Sequence, residues 1–244
     1  FKDVTDEVAC LGVFGPKSRG LMSKLSNDDF SNENFKFGTS KEIKINNKKI
    51  WAQRLSYVGE LGFELYIQMK ESKEIYNLIV DKGKEFNLSH CGMFAMDTMR
   101  MEKGYLHLGH DMSPEENQYE AGLKFAISFK KNIDFVGKKA IQQIKNKKIK
   151  KMMVMLTLKS SQPGSPLLLH DEPIYCEGKI VGRTTSGNYS FNYKKNMSFG
   201  YINLILPIEE LAKKNFSIEV EKKLYEAVLQ MEPLNDPKNV IIKN

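Results

Sequence analysis

The chain has 244 residues, of which 41% are hydrophobic and 27% are charged. This balance predicts a soluble globular protein of one large or two ordinary domains, with a core that needs no disulfides. No apolar run approaches the roughly 20 residues of a membrane span, so we expect no membrane partner.

Lysines supply much of the net charge of +7, several of them between Lys145 and Lys151. The ordinary interpretation is a solvated surface, and the functional one is attraction for an anionic partner. We do not expect nucleic acid as that partner, because the lysines are not interleaved with aromatic residues and no known binding module is recognisable.

The three cysteines are Cys10, Cys91 and Cys176. They are far apart and follow no CxxC spacing, which argues against a disulfide framework and a zinc site and fits a reducing compartment. We therefore expect a cytoplasmic protein. The chain starts at Phe1 rather than at a methionine and shows no signal peptide, so we expect it to begin inside a longer protein.

The first part of the chain predicts alternating strands and helices. Val8 to Phe14 is a short apolar run typical of a buried strand, and Gly15-Pro16 ends it and begins a helix. Further strands are predicted at residues 35–45 and 49–55, divided by a turn at Asn46-Asn47. The face of the helix that should be buried carries Leu21, Met22 and Leu25.

The stretch from Arg54 to Tyr66 predicts a hairpin with a tight turn. Bulky residues on either side favour strands, and Gly59 and Gly62 permit positive φ or a close approach of backbone or ligand. Glu64 lies close to the turn, where a buried carboxylate would need a partner. A hairpin with surface acids and a ligand site are both open interpretations of this pattern.

Helices dominate the next part. One is predicted from Ser72, which would cap it, and another from Phe94 to Lys103, ended by Gly104. Leu123 to Phe129 alternates as a strand, and residues 134–144 predict a further helix.

The composition changes after the lysine-rich residues 145–151. Met152 to Leu158 predicts a strand, and short apolar pieces separated by turn residues follow it, the first at residues 167–169. This spacing is typical of a small antiparallel sandwich or barrel. We therefore predict an α+β chain: a mixed α/β domain at residues 1–148 and a small β-barrel or sandwich at residues 149–244.

No catalytic constellation is evident. The histidines are scattered, and only His107 and His110, with Asp111 beside them, are close enough to suggest metal ligands; we predict no metal. Neither a phosphate-binding glycine loop nor a dinucleotide fingerprint is present.

Three motifs, in order along the chain, resemble those of one family. They are Tyr57-Val58-Gly59-Glu60-Leu61-Gly62-Phe63-Glu64; Arg100-Met101-Glu102-Lys103-Gly104-Tyr105, continuing through Gly109-His110-Asp111 to Tyr119-Glu120-Ala121-Gly122-Leu123; and Gly182-Arg183-Thr184-Thr185-Ser186-Gly187. The chain thereby resembles the glycine-cleavage T-proteins, which are folate-dependent aminomethyltransferases. It most resembles the C-terminal folate domains of dimethylglycine and sarcosine dehydrogenases.

The resemblance implies a pocket for the pterin ring of tetrahydrofolate. A carboxylate can accept two hydrogen bonds from the edge of such a ring, and aromatic side chains can cover its faces. The family's pterin anchor falls on Glu64, and its motif tyrosine falls on Tyr57. Phe125 takes the position of a folate-lining aromatic, and Tyr105 aligns with a pocket residue of some members. Without the resemblance, core aromatics and a surface ion pair would explain these residues.

Two departures from the family pattern limit this reading. Met96 precedes Asp97 where the glycine-cleavage branch has an arginine that clamps the glutamate tail of folate, which fits the dehydrogenase branch better. The family's catalytic aspartate falls in a stretch upstream of Phe1. No residue of this chain is therefore assigned a catalytic role.

The resemblance implies transfer of a one-carbon unit from an amine donor to tetrahydrofolate, whose polyglutamate tail would be an anionic partner. The donor would come from a lipoyl carrier protein, or from a fused or associated flavin dehydrogenase domain that oxidises dimethylglycine or sarcosine. FAD would belong to that flavin domain and not to this chain. Two alternatives stay open: a folate-binding module without catalysis, and a related demethylase with a different methyl donor.

Overall fold

The computed structural model describes residues 1–131, 133–145 and 147–243. They form two compact units. The first comprises Phe1–Lys103 together with the end of the chain from Asn235, and the second comprises Gly104–Leu234. Each unit has its own hydrophobic core.

Within its described residues, the first unit contains a four-stranded antiparallel sheet and three α-helices. The strands are β1 (Val8–Phe14), β2 (Ser40–Ile45), β3 (Lys48–Gln53) and β4 (Gly62–Gln68). The helices are α1 (Ser18–Leu25), α2 (Met69–Gly83) and α3 (Met93–Glu102). Across the sheet the order is β1-β4-β3-β2, so β4 is paired on both sides.

The core of the first unit combines one face of this sheet with α1 and α2. Along β4, Phe63, Leu65 and Ile67 are fully buried. Glu64 and Tyr66 alternate with them and are half-buried, which is the pattern of a strand with one covered face. Burying each large apolar side chain contributes roughly 1.5–3 kcal/mol. The helical residues in this core include the whole predicted stripe of α1 and two residues of α2: Leu21, Met22, Leu25, Ile75 and Ile79.

Helix α2 begins at Met69, earlier than the predicted start at Ser72. Ser72 lies inside the helix, and its hydroxyl donates a hydrogen bond to the carbonyl of Met69 instead of capping the N-terminus. The amide of Met69 donates to the carbonyl of Glu7. The first backbone donor of the helix is therefore satisfied by a residue distant in sequence, which no local pattern indicates.

Residues 54–61 connect β3 and β4 as a loop, so the predicted tight turn is wrong. The loop begins with Arg54, whose side chain is 1% exposed. Its guanidinium donates to the carbonyls of Phe35 and Lys243, while its backbone still bonds to Gly38 and Thr39 just before β2. Strand β2 likewise begins only at Ser40, after the predicted start at residue 35.

The two glycines of the first motif have separate structural roles. Gly59 has a φ of +75°, and a Cβ there would lie 3.0 Å from Cβ of Lys103. A Cβ at Gly62 would lie 2.2 Å from the ring of Phe14. Conformation and packing therefore account for glycine at these positions without reference to a ligand.

A buried ion pair joins the residue after α3 to the end of the chain. Nζ of Lys103 lies 3.0 Å from Oδ2 of Asp236, and the two side chains are 2% and 4% exposed. Burial acts to raise the pKa of Asp236, but hydrogen bonds from Lys103 and from the backbone amides of residues 240–242 lower it overall. A carboxyl with a lowered pKa in the folded state stabilises the fold at neutral pH, and this contribution is lost as the pH falls.

The second unit is organised around a closed antiparallel barrel, which confirms the predicted architecture. Its strands are β5 (Lys151–Leu158), β6 (Pro173–Cys176), β7 (Lys179–Ser190), β8 (Lys195–Asn203), β9 (Phe216–Val220) and β10 (Lys223–Gln230). Their order around the barrel is β10-β5-β8-β7-β6-β9. Closure pairs each of these strands on both sides. Helices α4 (Lys138–Lys145) and α5 (Ile208–Leu211) complete the described regular structure of this unit, apart from a short 3₁₀ turn.

Two predicted strands of the second unit are wrong. Within residues 123–129 the chain forms a 3₁₀ turn, Lys124–Ala126, closed by hydrogen bonds between residues three apart. Residues 167–169 lie outside the barrel strands; Leu168 is buried, whereas Leu167 and Leu169 are more than half exposed. Alternation in a short apolar run therefore does not by itself indicate a partner strand.

Asp111 connects the segment before the barrel to strand β7. It is 1% exposed, and its Oδ1 accepts hydrogen bonds from the hydroxyls of Thr185 at 2.7 Å and Ser186 at 2.6 Å. Its Oδ2 accepts from the amide of His107 at 2.9 Å. The second and third motifs are thus in direct contact inside this unit.

We expect Asp111→Ala to destabilise the second unit by about 3 kcal/mol, because two hydroxyls and one amide lose a charged acceptor in a buried position. Chemical denaturation followed by fluorescence measures this change. Asp171→Asn is the control, because Asp171 pairs with Arg183 at the surface of the same barrel and exposed pairs contribute little. Equal stability of the two variants would contradict the structural role of Asp111.

We expect Asp236→Asn to destabilise the first unit by about 3–5 kcal/mol at neutral pH, because it leaves Lys103 buried without its counter-charge. The stability of the unaltered chain should decline as the pH falls below about 4, and the variant should lack part of that decline. Denaturation midpoints between pH 7 and pH 3 test both statements. Asp81→Asn, which removes an exposed pair with Lys84, should leave the profile unchanged.

Candidate functional site

Glu64 lies at the centre of the sheet of the first unit, on the face opposite the core. In the register of β4 it is opposite Gly12 on β1 and Gln53 on β3. Because its neighbours Phe63 and Leu65 point into the core, the side chain of Glu64 is directed to the other face. The carboxylate is half-buried and belongs to a strand that is paired on both sides.

An aromatic ring lies beside this carboxylate. A Cβ at Gly12 would be 2.4 Å from the ring of Phe14, and one at Gly62 would be 2.2 Å from it. The ring therefore occupies the space above both glycines, on the face that carries Glu64. The absence of side chains at these two positions leaves a flat apolar surface next to a charged acceptor, which suits a planar heteroaromatic ligand.

Tyr66 is the hydrogen-bond partner of Glu64. Its hydroxyl donates to Oε2 of Glu64 at 2.9 Å. Among the residues that the structure describes, Oε1 of Glu64 has no hydrogen-bond partner. Burial, and then the hydrogen bond to the carboxylate, raise the pKa of Tyr66 well above its usual value, so the phenol stays protonated at physiological pH.

Tyr57 lies in the loop 54–61 of the same unit and is half-buried. The end of this loop is fixed near Glu64, because the carbonyl of Leu61 accepts hydrogen bonds from the amide of Gly15 and the hydroxyl of Ser18. Tyr57 and Glu64 thus belong to one loop-and-strand element.

Tyr105 and Phe125 lie in the second unit. Tyr105 is half-buried in the segment that follows Gly104. Phe125 lies in the 3₁₀ turn, and its side chain is 85% exposed. Packing in a hydrophobic core therefore does not explain the aromatic residue at position 125.

Met96 and Asp97 occupy the middle of α3. Asp97 accepts a hydrogen bond from Nη2 of Arg100 at 2.7 Å and from Nε at 2.8 Å. The guanidinium of Arg100 therefore pairs with Asp97 within α3. Met96 is uncharged and offers no cation to the glutamate tail of a folate.

Sequence reasoning missed four residues of the Glu64 face: Phe14, Gln53, Tyr66 and Gly12. Tyr66 could have been found, because residues two apart on a strand share a face. Phe14 and Gln53 belong to other strands, and only the pairing register brings them beside Glu64. Glu60 was also missed as a titratable group: burial raises its pKa, as do the negative charges of Asp236 and Glu102.

The second unit has a cleft of about 310 Å³ between the segment 110–116 and the barrel. Its charged side chains are largely satisfied within the protein, since Lys151 pairs with Glu116 at 2.8 Å. His110 and Asp111 line the same cleft, and Asp111 is bound by the hydroxyls described above. Across the described ranges no group of three or more His, Cys, Asp or Glu side chains has the arrangement of a metal site.

No α-helix in the described part of the chain is long and apolar enough to cross a membrane.

Two family models match the chain. Residues 1–131 match the GCVT N-terminal domain, and residues 151–236 match the glycine cleavage T-protein C-terminal barrel domain. The second match coincides with the barrel, which extends from β5 to β10.

Named relatives fall into two groups. Mitochondrial dimethylglycine dehydrogenase of Homo sapiens is 39% identical over 235 residues, covering 96% of this chain and 26% of the relative. The 4-methylaminobutanoate oxidase (formaldehyde-forming) of Paenarthrobacter nicotinovorans is 34% identical, covering 97% of this chain and 28% of the relative. An aminomethyltransferase of Geobacillus sp. (strain WCH70) is 31% identical, covering 90% of this chain and 57% of the relative. The chain thus spans about a quarter of the length of the oxidising relatives.

A solved structure has the same fold. The glycine cleavage system aminomethyltransferase T from Bartonella henselae superposes with a TM-score of 0.80 at 18% identity, covering 94% of this chain and 60% of that one. Together with the match of the GCVT N-terminal model to residues 1–131, this likeness in fold leads to one conclusion: the chain belongs to the glycine cleavage T-protein family.

Proposed function

We propose that this chain is the tetrahydrofolate-binding part of an aminomethyltransferase-type enzyme, which transfers a one-carbon unit from an amine donor to tetrahydrofolate. The observation that carries the proposal is the position of Glu64: a half-buried carboxylate on the sheet face opposite the core, held by Tyr66 and adjacent to the ring of Phe14. Family membership supports the same ligand.

The chemistry of the Glu64 face fits a pterin. The edge of that ring presents N–H donors, and an ionised carboxylate has lone pairs for two of them in addition to the bond from Tyr66. Each hydrogen bond to a charged group contributes about 1.5–3 kcal/mol. Phe14 offers an apolar surface to the ring. Tyr57, Tyr105 and Phe125 are proposed as further folate-binding residues on the basis of the family motifs.

Tetrahydrofolate, when bound, supplies the nitrogen that accepts the one-carbon unit. The residues of this chain bind and orient the ring: Glu64 accepts its donors, and the aromatic side chains exclude water from it. We assign no residue of the chain as the catalytic group. A folate-binding module without its own catalysis is the second candidate.

The donor is proposed to be a methylated amine oxidised by a flavin-containing domain of the same or an associated protein. The identity to dimethylglycine dehydrogenase supports this choice. So does Met96, because it leaves no cation at the position where the glycine-cleavage branch has one. An aminomethyl-lipoyl carrier is the alternative donor, supported by the relative named aminomethyltransferase. A demethylase with another methyl donor is a third possibility, supported by the 4-methylaminobutanoate oxidase.

Two further points stay predictions. One is the boundary between a folate-binding domain at residues 1–148 and a barrel domain at residues 149–244. The other is a cytoplasmic location; the human relative is named as mitochondrial.

We expect Glu64→Gln to weaken the binding of tetrahydrofolate by about 1.5–3 kcal/mol, because an acceptor oxygen that faces the pterin edge becomes a donor. Calorimetric titration of the full chain under anaerobic conditions measures this loss. Glu219→Gln in the barrel is the matched control, since Glu219 is also a half-buried strand glutamate that accepts from a tyrosine. Equal affinity in Glu64→Gln and the unaltered chain would refute the pterin site.

The donor is tested by turnover of the full-length protein. We expect dimethylglycine to yield methylenetetrahydrofolate, and an aminomethyl-lipoyl carrier to yield none. Glu64→Gln should lower the folate-dependent yield while leaving oxidation of the amine unchanged, because oxidation would take place in the flavin domain. Turnover with the lipoyl carrier alone would reverse the choice of donor.

A further inference from the structure

Tyr66 and Glu64 form a pair on one face of β4. They are two residues apart, so their side chains emerge on the same side of the strand. The Tyr66 hydroxyl lies 2.9 Å from Oε2 of Glu64. An ionised carboxylate can only accept hydrogen bonds, so the phenol must be the donor.

The surrounding strands fix this pair. Tyr66 is opposite Cys10 on β1 and opposite Trp51 on β3, and it is half-buried between them. Since β4 is paired on both sides, its backbone cannot shift without breaking two ladders. The phenol therefore approaches Glu64 from a fixed direction.

The neighbouring strand β1 gives the second oxygen of the carboxylate no hydrogen-bond donor. Gly12, opposite Glu64, contributes no side chain, and the space above it holds the ring of Phe14, which is apolar. Within the described part of the chain, Oε1 of Glu64 accepts no hydrogen bond. Tyr66 thus restrains one oxygen and leaves the second oxygen to the ligand.

We propose that Tyr66 is a positioning residue for ligand binding: its hydroxyl orients the carboxylate of Glu64 toward the edge of the bound pterin. This inference rests on the proposed function. A long, flexible carboxylate loses rotamer freedom when it binds a ligand, and a side chain that is already oriented loses less. Tyr66 acts through Glu64 and does not itself contact the ligand.

Tyr66→Phe removes the hydroxyl and keeps the ring. We expect the dissociation constant of tetrahydrofolate to rise by up to roughly tenfold, because the Glu64 side chain, no longer held by Tyr66, must lose its rotamer freedom on binding. Tyr175→Phe is the matched control, because the Tyr175 hydroxyl donates to Glu219 at 2.6 Å between barrel strands β6 and β9. It should lower stability to a similar extent without changing folate affinity.

A double-mutant cycle distinguishes positioning from direct contact. In the Glu64→Gln background, Tyr66→Phe should weaken binding by less than twofold, because the carboxylate that it orients is gone. Replacement of Tyr66 by 4-aminophenylalanine, which restores a donor at the same ring position, should recover most of the affinity. A purely structural role of the ring would not produce this rescue.

The outcomes separate this inference from the proposed function. If Glu64→Gln leaves tetrahydrofolate affinity unchanged, the pterin site itself is refuted. If Glu64→Gln weakens binding and Tyr66→Phe does not, only the positioning role of Tyr66 is refuted. Additive losses in the double variant would overturn it as well, because they indicate that Tyr66 contacts the ligand directly.

Discussion

Strand β4 carries the constraint on which the first unit depends. It is paired with β1 and β3, and the hydrophobic core requires Phe63, Leu65 and Ile67 on one face. The same alternation directs Glu64 and Tyr66 to the other face. A slip of one residue would bury the carboxylate and expose the three core side chains, at a cost of several kcal/mol. The position of the candidate anchor is therefore determined by the core.

The first motif combines packing requirements with binding chemistry. Gly59 has positive φ and approaches Lys103, while Gly62 leaves room for the ring of Phe14. Both glycines are explained by the fold alone. Glu64 is different, because one of its oxygens has no hydrogen-bond partner among the described residues. A motif can thus mark a family partly through residues that the fold itself requires.

The motifs of the second unit have a mainly structural explanation. Asp111 accepts hydrogen bonds from Thr185 and Ser186, so two motifs that are distant in sequence form one buried network. A Cβ at Gly182 would lie 1.8 Å from the carbonyl oxygen of Tyr201, so glycine is needed for β7 and β8 to pair closely. Loss of such a network is expected to affect stability before it affects binding.

Local patterns were sufficient for several elements. Strand β1, the apolar stripe of α1, the turn at Asn46-Asn47 with its positive φ values and the end of α3 before Gly104 all follow from periodicity or turn chemistry. The barrel also follows, because short strands separated by turn residues can bury one face only by closing or stacking. Glu64 as a candidate anchor came from the family motif, which the sequence itself contains.

The sequence by itself therefore determined the class of fold, the family and the candidate anchor residue, Glu64. Only the tertiary structure decided that residues 54–61 form a loop, that α2 begins at Met69, and that Tyr66 and Phe14 lie beside Glu64. The physical reason is the same in each case. Arg54 reaches Lys243, Met69 reaches Glu7, and the register of three strands surrounds Glu64, so the partners that decide these features are distant along the chain.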